Sequence, residues 1–234
     1  MTPQGFMFDF SGTLFRIEPP ELWLRSVLAE AGITLPDEEL ASYAQKLSRT
    51  GGQPGGALPE VVPDRLERLW RERDLSAEHH RAAFTGLARR AELPWEGLYD
   101  ALYDRHMTAA AWAPYPDTAK VLGELRGRGI PVAVVSNIGW DLRPVFRDHG
   151  LDGCVDAFVL SFEHGVQKPD PRLFRIACDA LGLEPEVVAM VGDDARADGG
   201  AAALGCPVRL VEHLPVELRP DGLLPVLGAF GRAG

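Results

Sequence analysis

Lysine is nearly missing from this chain of 234 residues: Lys46, Lys120 and Lys168 stand against 21 arginines. Each lysine is thereby worth a question, although a lone lysine is ordinarily a solvated surface charge. Cysteine is scarce too. Cys154, Cys178 and Cys206 are odd in number and lack the paired spacing of a metal site, which excludes a disulfide scaffold and a zinc module and predicts buried or free thiols in a reducing compartment. No apolar run approaches the roughly 18 residues of a membrane span, and the N-terminus has no charged-plus-apolar leader pattern. A soluble, cytoplasmic protein with no membrane partner is expected. Clustered positive charge is also absent. With 34 acidic residues against 24 basic ones, a formal net charge of −10 and no basic patch, the chain has nothing to hold a phosphate backbone, so no nucleic-acid partner is expected.

What is present suits one large domain, or a core carrying an inserted smaller one, since 46% of the residues are hydrophobic. The focal stretch is Phe6-Met7-Phe8-Asp9-Phe10-Ser11-Gly12-Thr13-Leu14-Phe15, where one acid interrupts an almost wholly apolar run. Such a run, bounded by a glycine turn, predicts a buried strand, and a carboxylate at its end is costly to bury without a cation or hydrogen-bond donors. Ser11-Gly12-Thr13 then turns the backbone, presenting amides, carbonyls and hydroxyls beside Asp9, where an open parallel sheet places its ligands.

From 18 to 113 the pattern is helical, with no convincing strand. Leu24, Val27, Leu28 and Ala31 recur at i, i+3, i+4, i+7, as do Leu40, Tyr43, Ala44 and Leu47, each set predicting one amphipathic helix. Pro19 and Pro20 suit a first turn, and Gly32 an end. Further helices are expected over 60–73, 76–92 and 95–110, while Gly51-Gly52-Gln53-Pro54-Gly55-Gly56 predicts a flexible excursion. Beyond Tyr115 the expected order is helix 117–128, strand 130–135, helix 140–149, strand 157–160, helix 171–181, strand 187–191, helix 195–204 and strand 208–211. This alternation predicts an α/β fold, a doubly wound parallel-sheet (Rossmann-like) core with ligand-handling residues at strand C-terminal ends. The expected division is a core of 1–16 and 114–234 and an inserted all-helical domain of 17–113. No chemistry is legible after Glu212.

Four strand ends carry polar residues of complementary type: Asp9, Ser136-Asn137, Lys168, and the trio Asp193, Asp194 and Asp198. Together they offer a nucleophile, neutral donors, a cation, and an acidic cluster suited to a hard metal such as Mg²⁺. Each alone has an ordinary reading: a turn residue for Asp9, an Asx turn or cap for Ser136-Asn137, a surface charge for Lys168, and helix caps for Asp193 and Asp194. In this order and spacing the set resembles the four motifs of the haloacid dehalogenase-like hydrolase superfamily, and the helical insert falls where that superfamily's first-type cap lies. The resemblance implies that Asp9 is the nucleophile of a covalent aspartyl intermediate. It also implies Mg²⁺ held by Asp9, the Ser11 carbonyl and Asp193, with Asp194 or Asp198 holding metal-bound water. Ser136, Asn137 and Lys168 then bind the substrate, with Lys168 offsetting charge on both the transferring group and Asp9. A Mg²⁺-dependent phosphatase for a small phosphorylated metabolite, monomer or homodimer, is the expectation.

One position departs from the pattern. Phosphatases of the superfamily usually carry a second Asp two residues after the nucleophile, as general acid, and this chain has Ser11 there. A serine hydroxyl is far too weak an acid near neutral pH, and a positioned acid contributes about 10²–10⁴-fold. Acyl and aryl phosphates are therefore expected to be cleaved far better than alkyl ones, unless a residue of the helical insert supplies the proton. Three other readings stay open. A metal-free haloacid dehalogenase shares Asp9 and lacks the second Asp, but has a less acidic fourth motif. A phosphonate hydrolase tolerates a small residue at position 11, yet needs an insert lysine for a Schiff base, for which only Lys46 is available. A degenerate member binds a phosphorylated ligand without turnover. His79, His80 and His106, with the insert's Trp and Tyr residues, are expected to be packing or solvated-face residues.

Overall fold

Strand-end placement of the polar residues follows from how the apolar runs pack. The computed structural model describes residues 2–228. Five parallel strands form one sheet: β1 (Gly5–Phe8), β4 (Val132–Ser136), β5 (Ala157–Leu160), β6 (Val188–Gly192) and β7 (Val208–Leu210), in the order β5-β4-β1-β6-β7. β1 is central, with Phe6 opposite Val132 on one side and Ala189 on the other. Side chains alternate across a strand, so Phe6, Phe8, Val132 and Val134 join one core and Met7, Ala133, Val135 and Met190 the other.

Helices cover both faces. On the Phe6 side lie α6 (Thr118–Gly127), α7 (Arg143–Asp148) and α10 (Leu224–Leu227). On the Met7 side lies α9 (Pro171–Leu181), with Leu173, Phe174 and Ala177 buried. A one-turn helix, α8 (Ser161–His164), follows β5. The α/β fold class of the sequence reading is the fold observed. Chain direction across the sheet reverses at β1, and Asp9 follows that strand directly. This is the topological switch point, where open parallel sheets bind ligands outside the strands' carboxyl ends.

Residues between the first two motifs form a helical layer: α1 (Pro20–Glu30), α2 (Asp37–Thr50), α3 (Asp64–Arg71), α4 (Ala77–Ala88) and α5 (Tyr99–His106). α1 and α2 bury the faces their periodicity marks, Leu24, Val27 and Leu28 against Leu40, Ala44 and Leu47, around Trp23 and Tyr99. The long helices expected over 60–73, 76–92 and 95–110 are shorter, each with its ends continued by separate 3₁₀ turns.

Four expectations need correction. Two strands bracket the helical layer: β2 (Phe15–Ile17) pairs antiparallel with β3 (Trp112–Pro114), and Glu18 beside this ribbon is clamped by both arms of Arg105 at 2.7 Å. The helix expected over 195–204 is a 3₁₀ segment, Asp198–Leu204, in which a Cβ on Gly200 would sit 2.4 Å from the Pro169 carbonyl. The glycine run 51–56 is packed rather than flexible. Gly51, Gly52, Gln53 and Pro54 are buried, Gln53 Nε2 donates to the Glu18 carbonyl, and a Cβ on Gly55 would lie 2.6 Å from the Trp112 ring. Its glycines serve close approach. Finally, the segment after Glu212 is a structural strap: Tyr115 donates to Leu214 O (2.6 Å), Asp117 accepts from Leu223 N and Leu224 N, and Leu223 and Val226 enter the core. The expected core boundary at 234 extends past the described residues.

Candidate active site

The site forms where the C-terminal ends of β1, β4 and β6 converge. Asp9 Oδ1 accepts from Phe10 N (2.7 Å) and lies 2.9 Å from Lys168 Nζ. Lys168 Nζ reaches Asp198 Oδ1 at 2.6 Å, and Asp198 Oδ2 accepts from Asp194 N. Lys168 and Asp198 are buried. Asn137 fixes the lysine's backbone at two points, donating from Nδ2 to Lys168 O and accepting Lys168 N at Oδ1. Ser136, also buried, ends β4 and lines the same cavity.

Charge in this cluster is unbalanced. Burial pushes the Asp9 carboxyl up to about 7, with the Asp198 and Asp193 carboxylates adding to the rise and Lys168 opposing it. For Lys168, burial pulls downward, but Asp198 and Asp9 outweigh it and hold the ammonium above its ordinary value. Burial also pushes Asp193 up, yet His213, Thr13 and Lys168 together keep it below the ordinary carboxylate range.

Asp9, Asp193 and Asp198 present oxygens within 4.8 Å of one another. Ser11 also lines the cavity, and among the described residues nothing donates to its carbonyl. An all-oxygen set with one balancing ammonium fits a hard divalent cation. Asp194 is engaged elsewhere: its Oδ1 accepts from Arg196 N and Ala197 N, a local turn cap on an exposed side chain. Asp198 already holds Lys168. The sequence reading had offered Asp194 or Asp198 as the holder of metal-bound water, and of the two only Asp198 has an oxygen in the cluster with Asp9 and Asp193.

Sequence reasoning missed Arg16, His213 and Arg219, and it read Gly12 and Thr13 only as the turn beside Asp9. Thr13 Oγ1 donates to Asp193 Oδ1 (3.1 Å), and His213 Nδ1 contacts Asp193 Oδ2, with Arg16 against the other ring nitrogen. Gly12, at φ 79°, lies so close that a Cβ there would stand 2.3 Å from both Asp193 Oδ2 and His213 Nδ1. Arg219, buried, donates from Nη1 to Gly12 O (2.6 Å) and from Nη2 to Thr13 O, while its guanidinium lies 3.2 Å above the Tyr115 ring. No spacing announces these. Their partners are backbone carbonyls, or side chains that lie 20, 180 or 197 positions away in the chain.

The helical layer roofs a cavity of about 220 Å³ over Asp9, with Gln53, Trp70, Asp74, His80, Phe84 and Trp112 on its walls. Of the three insert histidines, His106 is a buried packing residue, His79 is half-buried, and His80 reaches this cavity.

A family model described as haloacid dehalogenase-like hydrolase matches residues 3–205. Among similar proteins, (S)-2-haloacid dehalogenase 4A of Burkholderia cepacia is 34% identical over 154 residues, 60% of this chain and 66% of that one. Phosphoserine phosphatase of Thermus thermophilus is 42% identical over 91 residues, 38% of this chain and 36% of that one. The matches span less than two thirds of either relative's own length. The solved L-2-haloacid dehalogenase of Xanthobacter autotrophicus shares the fold, with a TM-score of 0.64 at 23% identity, covering 95% of this chain and 83% of that one. Among the described residues no helix is long and apolar enough to cross a membrane. With the family model matching from residue 3 to residue 205, this chain belongs to the haloacid dehalogenase-like hydrolase family.

Proposed function

We propose that this hydrolase is a Mg²⁺-dependent phosphatase acting on a small phosphorylated metabolite through a covalent intermediate on Asp9. The observation that carries this reading is the convergence of Asp9, Asp193 and Asp198 around a single ammonium, a set that repels itself unless a cation joins it. Asp9, Asp193 and the Ser11 carbonyl are the groups that would hold Mg²⁺, which when bound supplies positive charge to the phosphoryl oxygens. The remaining work falls to the chain. Asp9 Oδ1 is held by Phe10 N and Lys168, which leaves Oδ2 as the attacking atom. Ser136 and Lys168 stabilise charge on the transferring group, and Asn137 positions the lysine. Residues 17–113 act as a cap that keeps water from the reaction.

A second reading is a metal-independent dehalogenase. It is favoured by the His213 ring on Asp193, by Lys168 offsetting charge on both Asp9 and Asp198, and by the aromatic walls of the cavity. A phosphatase relative and dehalogenase relatives both stand among the similar proteins. The phosphonate-hydrolase reading loses its support, because Lys46 lies over the Tyr43 ring, away from this cavity.

Thermal melting decides between the first two. Mg²⁺ at about 100 times its dissociation constant stabilises the native state by about 2.7 kcal/mol, and Asp193→Asn should abolish that shift while phosphate release from an aryl phosphate disappears. Halide release from 2-chloropropionate that continues undiminished in excess EDTA would instead establish the dehalogenase.

A further inference from the structure

Breaking an alkyl phosphate ester leaves an oxygen that must be protonated, and Ser11 cannot do it near neutral pH. The group sought is one that lines the cavity and keeps a proton. Asp74 sits in the short turn between α3 and α4 and is 3% exposed. Its backbone carbonyl accepts from Ser161 Oγ (2.6 Å), and the same hydroxyl accepts from Ile138 N (2.9 Å), two residues past Ser136. Beside it, His80 packs so tightly on the core that a Cβ on Gly139 would stand 2.2 Å from His80 Cβ. This corner of the helical layer is therefore pinned to the loop that leaves β4.

We propose that Asp74 is the general acid and base of the reaction, delivering its proton to the leaving oxygen above Asp9 and recovering one from the attacking water. The proposal rests on the phosphatase reading and names the proton donor which that reading lacks. Asp74 lines the cavity together with Asp9, Ser11 and Lys168. Its carboxyl faces Arg73 Nε at 3.4 Å and His80 Nε2 at 3.8 Å. Burial raises this carboxyl above its ordinary value against the pull of Arg73 and Lys168, which favours the protonated form.

The groups around it suit the cycle. Burial, the neighbouring His106 and Arg73 hold His80 well below its ordinary value, so its ring is neutral. Tyr103, whose hydroxyl burial holds protonated, meets His80 Nδ1 at 2.6 Å. A Tyr103 O–H donating to Nδ1 leaves Nε2–H facing Asp74 Oδ1, where it steadies the carboxylate formed after proton transfer. In the first half-reaction Asp9 Oδ2 bonds to phosphorus, the ester P–O bond breaks, and the departing oxygen takes the Asp74 proton. The products are the free alcohol, an aspartyl phosphate and an Asp74 carboxylate. In the second, the Asp74 carboxylate takes a proton from water, the water oxygen bonds to phosphorus, and the bond to Asp9 breaks. Inorganic phosphate leaves and Asp74 is again protonated.

The test compares an alkyl phosphate with 4-nitrophenyl phosphate on the full chain. Asp74→Asn should lower kcat for the alkyl ester by about 100-fold, with a loss at least about tenfold smaller on the aryl ester, whose oxygen leaves unaided. Asp74→Glu should restore part of the alkyl activity, and the pH-profile limb assigned to the acid should vanish in Asp74→Asn. Equal losses on both esters, or no loss on either, overturn the proposal while leaving the phosphatase reading intact. Should Asp74→Asn fail to fold, the wild type decides: a rate that falls steeply as the leaving alcohol becomes more basic shows that no acid operates. A wild type inactive on both esters removes the phosphatase reading and this inference with it.

Discussion

Asp9 is buried beside two other carboxylates and one ammonium, and its burial, reinforced by those carboxylates and opposed by the ammonium, costs stability in a pH-dependent way. Its folded carboxyl stands at about 7 against an ordinary value of 3.8, so the native state holds a proton that the unfolded chain has released. The stabilisation from that proton is complete below pH 3.8 and is lost as pH rises through about 7. Asp9→Asn keeps the shape and has no charge to bury. We expect it to abolish turnover and to melt no lower than the wild type at pH 8 in the absence of divalent metal, the advantage narrowing toward pH 4. A variant clearly less stable at pH 8 would show that the Lys168 ion pair outweighs the burial cost. Arg219 poses the opposite case, since its guanidinium serves the backbone of the loop that follows Asp9. Arg219→Ala leaves the Gly12 and Thr13 carbonyls without that donor and should lower unfolding free energy by about 3 kcal/mol, read from urea midpoints. Arg219→Lys, lacking the fork, should recover only part. Asp9 was legible because an acid ending an apolar run is anomalous. Arg219 was not, because a side chain that bonds main-chain carbonyls leaves no pattern in the residues it serves.

At the scale of elements, α4 and α5 meet through buried imidazoles. Burial, with Arg81 nearby, drops His106 to about 3, against the pull of its own Tyr103 carbonyl. The unfolded chain takes up this proton near 6.5 and the folded chain near 3, so stability present above pH 6.5 is lost as pH falls through that interval. At pH 5 the loss from His106 is about 2 kcal/mol relative to neutral pH. His106→Phe should shrink the drop in urea midpoint between pH 7 and pH 5, without erasing it, because His80 is buried neutral in the same way. Equal acid sensitivity in the two proteins would place the titrating groups elsewhere. Legibility of the elements tracks their length. α1 and α2 show two or more turns of apolar period and were read correctly, as were the sheet strands to within two residues at their ends. The ribbon of β2 and β3 has three residues per strand, too few for alternation to register. Glycine density in 51–56 excluded helix and strand but gave no means of telling a mobile loop from one whose backbone must approach Trp112, Ser11 and Ala88 closely.

Across the whole molecule, segments far apart in sequence meet at the loop that follows Asp9. The family match stops at residue 205, and the described strap beyond it, 212–228, crosses the backbone at Gly12 and Thr13 before docking on α6. It contributes the Arg219 fork, the two amides held by Asp117, the carbonyl that receives Tyr115, and the buried side chains of Leu223 and Val226. Full burial of two aliphatic side chains alone amounts to about 3–6 kcal/mol. In a chain of this size each kcal/mol shifts melting by about 2–4 °C. Ending the chain after Val211 should therefore lower Tm by roughly 10 °C or more, measured by calorimetry with and without Mg²⁺. Activity should fall further than the lost stability explains, assayed well below the lowered Tm, because Gly12 and Thr13 set the distance between Asp9 and Asp193. Hydrogen exchange should separate the two effects. Faster exchange at residues 10–15, with β4 and β6 still protected, is the pattern of that loop released from its strap, whereas uniform loss of protection would mean that the strap only adds stability. A truncated chain that melts within about 2 °C of the full one and keeps its turnover would leave the strap without a role in the site.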